Sequence, residues 1–177
     1  MRLTIGQKVV YPGQGACIVV ARRVRDCGTH ELAGFELQVI DDTSIIFVPE
    51  SNADSVGIRP LLTPSQCKRL VSRLGEDFDE ANSDWKSRSR EFMQKIQSAD
   101  IFAVADVFKK LTYLSREKRL SFREQTLLDK ARSLIVSELA NGSPRNAAAA
   151  EHEVIRRVDR ACEKHIAANG NKTSTAH

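Results

Sequence analysis

The sequence predicts an α+β protein, in which a small β-barrel or curled sheet precedes an all-α domain. In the first sixty residues, short apolar and β-branched runs alternate with Gly, Pro and Asp turn signals, which is typical of short strands in a small barrel. From residue 63 onward, apolar residues recur every three or four positions, the period of an amphipathic helix. This change of period predicts a β domain over residues 1–60 and a helical domain over 61–140, with 141–177 as a C-terminal extension.

The β domain is predicted to contain four or five short strands. The runs that carry the signal are residues 8–11 (KVVY), 16–21 (ACIVVA), 35–39 (FELQV) and 44–48 (SIIFV). A Pro-Gly-Gln-Gly turn separates the first two runs, and a polar connection that ends near Gly28 follows the second. Pro49 ends the last strand, because proline cannot donate a hydrogen bond to a neighbouring strand.

Five helices are predicted after residue 62. Four of them begin after good N-cap residues, which are Thr63, Ser83 or Asp84, Asp100 and Ser121. The caps at Thr63 and Ser121 are capping boxes, because Gln66 and Glu124 follow them three residues later. A fifth helix is predicted inside the extension, and residues 169–177 are expected to be disordered.

No enzymatic activity is expected from this sequence. It contains none of the phosphate-loop, dinucleotide-binding or zinc-protease motifs, and three of its four histidines fall in the C-terminal extension. The four cysteines form no C-x-x-C pair, so buried reduced thiols are expected rather than a metal site; they are Cys17, Cys27, Cys67 and Cys162. We therefore expect no catalytic residue, no metal and no cofactor.

The chain is expected to be a cytoplasmic monomer. Its first six residues lack the apolar core of a signal peptide, and no stretch is apolar enough to span a bilayer. No apolar heptad seam argues for a dimer.

Positive charge is concentrated in the predicted helices. Residues 1–60 carry a net charge of −1 and residues 61–84 carry −2, whereas residues 85–140 carry twelve Lys or Arg against seven Asp or Glu, a net charge of +5. A near-neutral first part and a basic second part indicate two modules with different partners. Basic helices suit nucleic acid, although a merely solvated surface is the alternative.

Trp85, the only tryptophan, is the most informative residue of the basic part. It falls in the first turn of a predicted helix and is followed by Lys86, Arg88 and Arg90. A lone tryptophan is commonly a core anchor, but one flanked by cations can also wedge against bases in a minor groove. The pattern alone leaves both alternatives open.

A second basic group spans the junction between the third and fourth predicted helices, and consists of Arg116, Lys118, Arg119 and Arg123. The free N–H groups at the start of a helix favour phosphate, although a solvated loop is the alternative. Neither basic group contains a set of base-reading side chains, which favours sequence-independent contact with the DNA backbone.

Several segments occur together in an order and spacing that make chance an unsatisfactory explanation. In the first part they are residues 5–12 with 15–16, and residues 48–53 with 56–59. In the second part they are Trp85 with Arg88 and Arg90, residues 120–122, and residues 128–132 with 138–140. Over about residues 1–140, this set resembles the CarD/CdnL family of bacterial RNA polymerase-binding regulators.

The resemblance implies that the N-terminal barrel is Tudor-like, similar to the polymerase-interacting domain of the transcription-repair coupling factor. Such a barrel binds the β subunit of RNA polymerase. The implied polymerase-contacting residues are Arg25, Cys27 and Phe47. Arg25 falls where some members place a contacting arginine, whereas Phe47 stands where some members carry a basic residue.

The resemblance also implies that the helical domain contacts promoter DNA at the upstream edge of the transcription bubble. By this similarity, Trp85 wedges into the minor groove and slows bubble collapse. The implied phosphate contacts are Lys86, Arg88, Arg90, Arg116, Lys118, Arg119 and Arg123. Ser87 and Gln125 fall where some members carry basic side chains.

Two other functions stay open from the sequence. An autonomous DNA-binding repressor would need a base-reading helix and usually dimer symmetry, and no such helix is evident. A protein-only polymerase-binding adaptor would instead use the basic helices to contact acidic protein partners.

Overall fold

A five-stranded antiparallel sheet followed by five α-helices makes up this protein, seen in a computed structural model that describes residues 1–173 and the side chains of residues 1–170. The strands are β1 (Lys8–Tyr11), β2 (Gly15–Asp26), β3 (Glu31–Val39), β4 (Ile45–Pro49) and β5 (Arg59–Pro60). A 3-10 turn over Glu50–Asn52 lies between β4 and β5. The helices are α1 (Pro64–Leu74), α2 (Trp85–Gln97), α3 (Ile101–Glu117), α4 (Phe122–Gly142) and α5 (Ala147–Thr173). The predicted α+β class is confirmed.

The sheet is open rather than closed into the expected barrel. Its strand order is β4-β3-β2-β1-β5, so β4 and β5 lie at opposite edges. β5 pairs with β1 through only two residues, Arg59 and Pro60, and so short a strand offers little backbone to hydrogen-bond across to β4. One face of the sheet packs a small core that includes Val9, Val19 and Leu37, all fully buried.

The β2–β3 hairpin is longer than predicted. Residues 22–26 were expected in a polar connection, but they continue β2, and pairing with β3 extends as far as Asp26 and Glu31. Residues 22–26 of β2 are all exposed, and they lack the apolar alternation that marks a half-buried strand. Gly28 makes the turn with a φ of 81°, in the left-handed region that favours glycine. Arg25 therefore stands on a strand.

The predicted helix starts are confirmed. Both capping boxes form, because the Thr63 and Ser121 side chains accept from the backbone N–H groups of Gln66 and Glu124, whose side chains accept in return. Asp84 and Asp100 cap α2 and α3. These boundaries are set by residues within four positions of each other, which is why the sequence alone locates them.

Helix α5 belongs to the same core as the other helices. Its buried residues Val154, Val158 and Cys162 join the cluster that α1, α3 and α4 form. Residues 150–162 of the predicted C-terminal extension therefore contribute to the helical core. The expected disorder is wrong for residues 169–173, which continue the helix, and residues 174–177 lie outside the described part of the chain.

One ion pair ties the sheet to the helices. Arg59 of β5 donates from Nη1 and Nη2 to the two carboxylate oxygens of Glu138 on α4, at 2.5 and 2.7 Å. Its Nε donates to the carbonyl oxygen of Ala99 at 2.6 Å, so one guanidinium joins β5, α4 and the α2–α3 junction. Gly15 lies close by with a φ of 91°, and a Cβ there would come within 3.4 Å of Ser137 Oγ.

Three of the four cysteines have the buried environment that was expected for them. All four cysteines are free, and Cys17, Cys67 and Cys162 are buried as expected, whereas Cys27 is exposed at the hairpin tip. Burial raises the pKa of the Cys17 thiol to about 11.

Among residues 1–173, no helix combines the length and apolarity that crossing a bilayer requires.

Candidate functional site

Trp85 stands exposed at the first position of α2. The Asp84 carboxylate fixes this helix start by accepting from the backbone N–H of Ser87 at 2.9 Å and from its hydroxyl at 2.6 Å. The tryptophan is 59% exposed, so the core-anchor alternative does not hold. Lys86 extends beside it, with Nζ 5.6 Å from the centroid of the indole ring. A large aromatic surface and a cation are thus presented together to solvent.

A shallow groove of about 360 Å³ runs beside Trp85. Met93 contributes an apolar wall, and the cations Lys86, Arg90 and Arg123 also line it. Arg123 comes from the first turn of α4, so the groove joins the N-termini of two helices. Helix N-termini carry a partial positive charge, which adds to the attraction that these side chains exert on an anion.

Arg88 is not available as an exposed phosphate contact, in contrast to the expectation. Only 4% of the residue is exposed, and Nη2 donates to the Glu124 carboxylate at 2.7 Å. Nη1 donates to the carbonyl oxygens of Asn82 and Ser83, at 2.8 and 3.3 Å. Arg88 therefore ties the loop before Trp85 to the capping box of α4.

The Glu124 carboxylate is held in its charged form. Its burial alone would raise the pKa, but the hydrogen bonds from Arg88 and Ser121 and the Arg88 charge bring the pKa below its ordinary value. Glu124 is 9% exposed. The N-termini of α2 and α4 are thus locked together by a buried ion pair that also serves as a helix cap.

The residues of the second basic group differ in whether an acidic side chain pairs with them. Arg116 forms an ion pair with Asp159 of α5, which partly neutralises it. Lys118, Arg119 and Arg123 are exposed. Among residues 1–170, no carboxylate lies within 4 Å of these three cations, nor of Lys86 and Arg90. Five of the expected DNA-contacting cations are therefore free to meet phosphates.

Phe122 is an exposed residue that was not among the predicted DNA-contacting residues. It is the first residue of α4 and is 90% exposed, the highest value among the exposed large apolar side chains of the described residues. A signal was available, because Phe122 precedes the buried Ala131 by nine residues, which is about two and a half helical turns and places it on the opposite face of α4.

Arg25 and Phe47 lie together on the sheet. The guanidinium carbon of Arg25 sits 4.0 Å from the centroid of the Phe47 ring, across β3. The ring rests on Gly34, where a Cβ would approach Phe47 Cζ to 2.5 Å. Glu36 lies beside them, 3.9 Å from Arg25 Nη2. Cys27 follows on the same hairpin and is exposed.

Gly34→Ala is expected to displace Phe47 and break its contact with Arg25. The new methyl would also meet the Val48 carbonyl oxygen at 2.6 Å, so the β3–β4 pair must shift, and an overpacked site of this kind costs about 1–3 kcal/mol. Urea unfolding measures this loss, with Gly28→Ala as a comparison in which φ is strained but space is open. Equal stability of Gly34→Ala and wild type would contradict the close approach.

Comparison with known proteins matches both halves of the chain. The family described as "CarD-like/TRCF RID domain" matches residues 3–62, and the family described as "CarD, C-terminal domain" matches residues 69–155. The candidate transcription factor YdeB of Bacillus subtilis (strain 168) is 26% identical over 135 residues, which is 76% of this chain and 88% of YdeB.

A solved structure also matches about a third of the chain. The solution NMR structure of the 72-residue N-terminal domain of Myxococcus xanthus CarD is 32% identical, covering 33% of this chain and 79% of that one, with a TM-score of 0.29. The two family matches span the sheet and then the helices, and reach into α5. The chain therefore belongs to the CarD/CdnL family of bacterial transcription regulators.

Proposed function

We propose that this protein binds the β subunit of RNA polymerase through its sheet and stabilises the promoter open complex through Trp85 and the cations around it. The observation that carries the proposal is the exposure of Trp85 at the α2 N-terminus, beside a groove lined by unpaired cations. An apolar wedge with cations at its rim is the combination by which minor-groove proteins unstack a base step while holding the backbone.

The cations assigned to DNA are Lys86, Arg90, Lys118, Arg119 and Arg123. Their contacts would be to phosphates, because long flexible cations without a fixed base-facing geometry hold the backbone in any sequence. Such binding weakens steeply as salt is raised. In this proposal Arg88 positions Trp85, and Arg116 is shared between Asp159 and DNA.

The polymerase-binding surface is assigned to Arg25, Cys27 and Phe47. The stacked Arg25–Phe47 pair supplies an aromatic face and a guanidinium, which are residue types enriched in protein–protein interfaces. The sheet is open at β4, so this surface lies next to an unpaired strand edge.

Trp85→Ala is expected to abolish the protein's effect on open-complex lifetime while leaving polymerase binding unchanged. Loss of a base–aromatic contact of about 1–3 kcal/mol corresponds to a lifetime shortened by roughly five-fold or more. The measurement is the decay of competitor-resistant complexes formed by the cognate polymerase, with wild type, with Trp85→Ala and without protein. Ile155→Ala, an exposed apolar residue on α5, serves as the matched control.

Three outcomes separate the alternatives. If wild type lengthens the lifetime and Trp85→Ala does not, the wedge is supported. If both proteins bind polymerase and neither changes the lifetime, the molecule acts as a protein-only adaptor and the proposal is wrong. If wild type binds free duplex tightly and sequence-specifically without polymerase, it acts as an autonomous repressor.

A further inference from the structure

We infer that Phe122 is a second stacking residue, which packs against an unpaired DNA base next to the one that Trp85 engages. This inference rests on the proposed function and extends it by assigning melted DNA, rather than intact duplex, to the surface formed by both helix N-termini. Phe122 is 90% exposed and Trp85 is 59% exposed. Leaving both aromatics in water gives up the transfer energy that burying them would gain, which is typical of residues that bind a partner.

The helix starts that carry the two aromatics are joined by a buried contact. Trp85 is the first residue of α2 and Phe122 is the first residue of α4. The buried pair of Arg88 and Glu124 joins these two first turns at 2.7 Å. Arg123, the neighbour of Phe122, lines the groove beside Trp85. One ion pair therefore joins the two helix starts that carry the rings, and the surface over these two starts is called the rim below.

The charge of the rim identifies its partner as nucleic acid. Lys118, Arg119 and Arg123 flank Phe122, and Lys86 and Arg90 flank Trp85, all without an acidic partner within 4 Å among residues 1–170. An apolar protein groove would not require five unpaired cations around two rings. Alternating cations and aromatic rings are the arrangement by which proteins hold single strands, with phosphates on the cations and bases on the rings.

The rim favours unpaired bases over paired ones. A ring can stack on a base only when the face of that base is free, and inside a duplex both faces are covered by neighbouring base pairs. A single wedge needs to open only one step, whereas two stacking residues require at least two accessible base faces. The second ring therefore gives the surface a preference for DNA that is already melted.

Phe122→Ala is expected to shorten the open-complex lifetime about five-fold or more relative to wild type, because stacking on one base would be lost. Phe122→Tyr, which keeps the ring, should retain the wild-type lifetime. Ile166→Ala, 50% exposed on α5, is the matched control and should also behave as wild type. Since Phe122 has little buried surface, its variants should unfold at the wild-type temperature, which calorimetry checks.

A modified promoter tests the stacking itself. Abasic residues at the upstream melted positions remove the bases and keep the phosphates. On this promoter, Phe122→Ala and wild type should give the same lifetime, whereas a persisting difference would mean that the ring contacts something other than a base and would overturn the inference. If Phe122→Ala equals wild type on the unmodified promoter while Trp85→Ala shortens the lifetime, the inference fails and the proposed function stands. If wild type itself leaves the lifetime at the polymerase-alone value, the proposed function fails.

Discussion

Glu138→Ala is expected to lower the free energy of unfolding by about 3–5 kcal/mol, the usual cost of removing one partner of a buried ion pair. Glu138 is 1% exposed, and its carboxylate accepts both Arg59 nitrogens and, at 3.3 Å, the backbone N–H of Leu62. Its removal leaves the Arg59 guanidinium at the junction without its counter-charge. Urea unfolding followed by circular dichroism measures the loss.

Two further variants separate this buried pair from ordinary surface charges. Arg132→Ala breaks surface pairs with Asp129 at 3.1 Å and with Glu151 at 3.9 Å, and should cost less than about 1 kcal/mol. Arg59→Met combined with Glu138→Leu should recover much of the lost stability, because no uncompensated charge remains. A Glu138→Ala protein as stable as Arg132→Ala would show that the junction does not depend on this contact.

Arg88→Ala is expected to cost about 3–5 kcal/mol of stability and also to shorten the open-complex lifetime. The substitution leaves the Glu124 carboxylate buried without its cation. It also removes the hydrogen bonds to the Asn82 and Ser83 carbonyl oxygens, which hold the loop before Trp85 in place. Arg88 touches no DNA in this scheme, so it is a positioning residue. Unfolding experiments and open-complex lifetimes, measured on the same preparations at a temperature where the variant remains folded, test both effects.

A neutral pair distinguishes positioning from charge. Arg88→Met with Glu124→Gln removes both charges and keeps a capping-box residue at the third position of α4. This double variant should be more stable than Arg88→Ala, and its open-complex lifetime should recover with the stability. Should the lifetime stay as low as that of Arg88→Ala despite restored stability, Arg88 would have to contact DNA directly.

The same pair has a pH signature. Because the pKa of Glu124 lies below its ordinary value of 4.5 in the folded protein, the ionised carboxylate contributes stability that is fully present above pH 4.5. That contribution is lost as the pH falls through the folded pKa, since the carboxyl is then protonated in both the folded and the unfolded state. Wild type should therefore lose more stability on acidification below pH 4.5 than the neutral double variant.

Features set by neighbouring residues could be predicted from the sequence, and features set by distant ones could not. The start of α2 at Trp85 followed from Asp84, one residue away. Arg88 was expected as a phosphate contact because of its place beside Trp85 and the family resemblance, whereas its partner Glu124 lies 36 positions further along the chain. Only the packing of α2 against α4 brings them together.

The β2–β3 hairpin and α5 illustrate the same limit. Residues 22–26 are too polar to indicate a strand, and pairing with β3 decides their conformation. The apolar face of α5 predicts a helix, but not which helices cover it. The sheet was expected to close, yet closure depends on how far β5 extends, and no pattern of one or two residues encodes that length.

The junction at Arg59 has a consequence for the free energy of binding. Two contact surfaces joined by a flexible linker sample many separations, and the second contact then benefits from an effective concentration limited by that freedom. Here the Arg59 guanidinium, which donates hydrogen bonds to acceptors on β5, α4 and the α2–α3 junction, takes the place of such a linker. With the sheet anchored on a large partner, the rim of α2 and α4 would be presented at one distance and one orientation. Selectivity among promoters would then reside in where the DNA duplex opens relative to that anchor, and hardly in the identity of its bases.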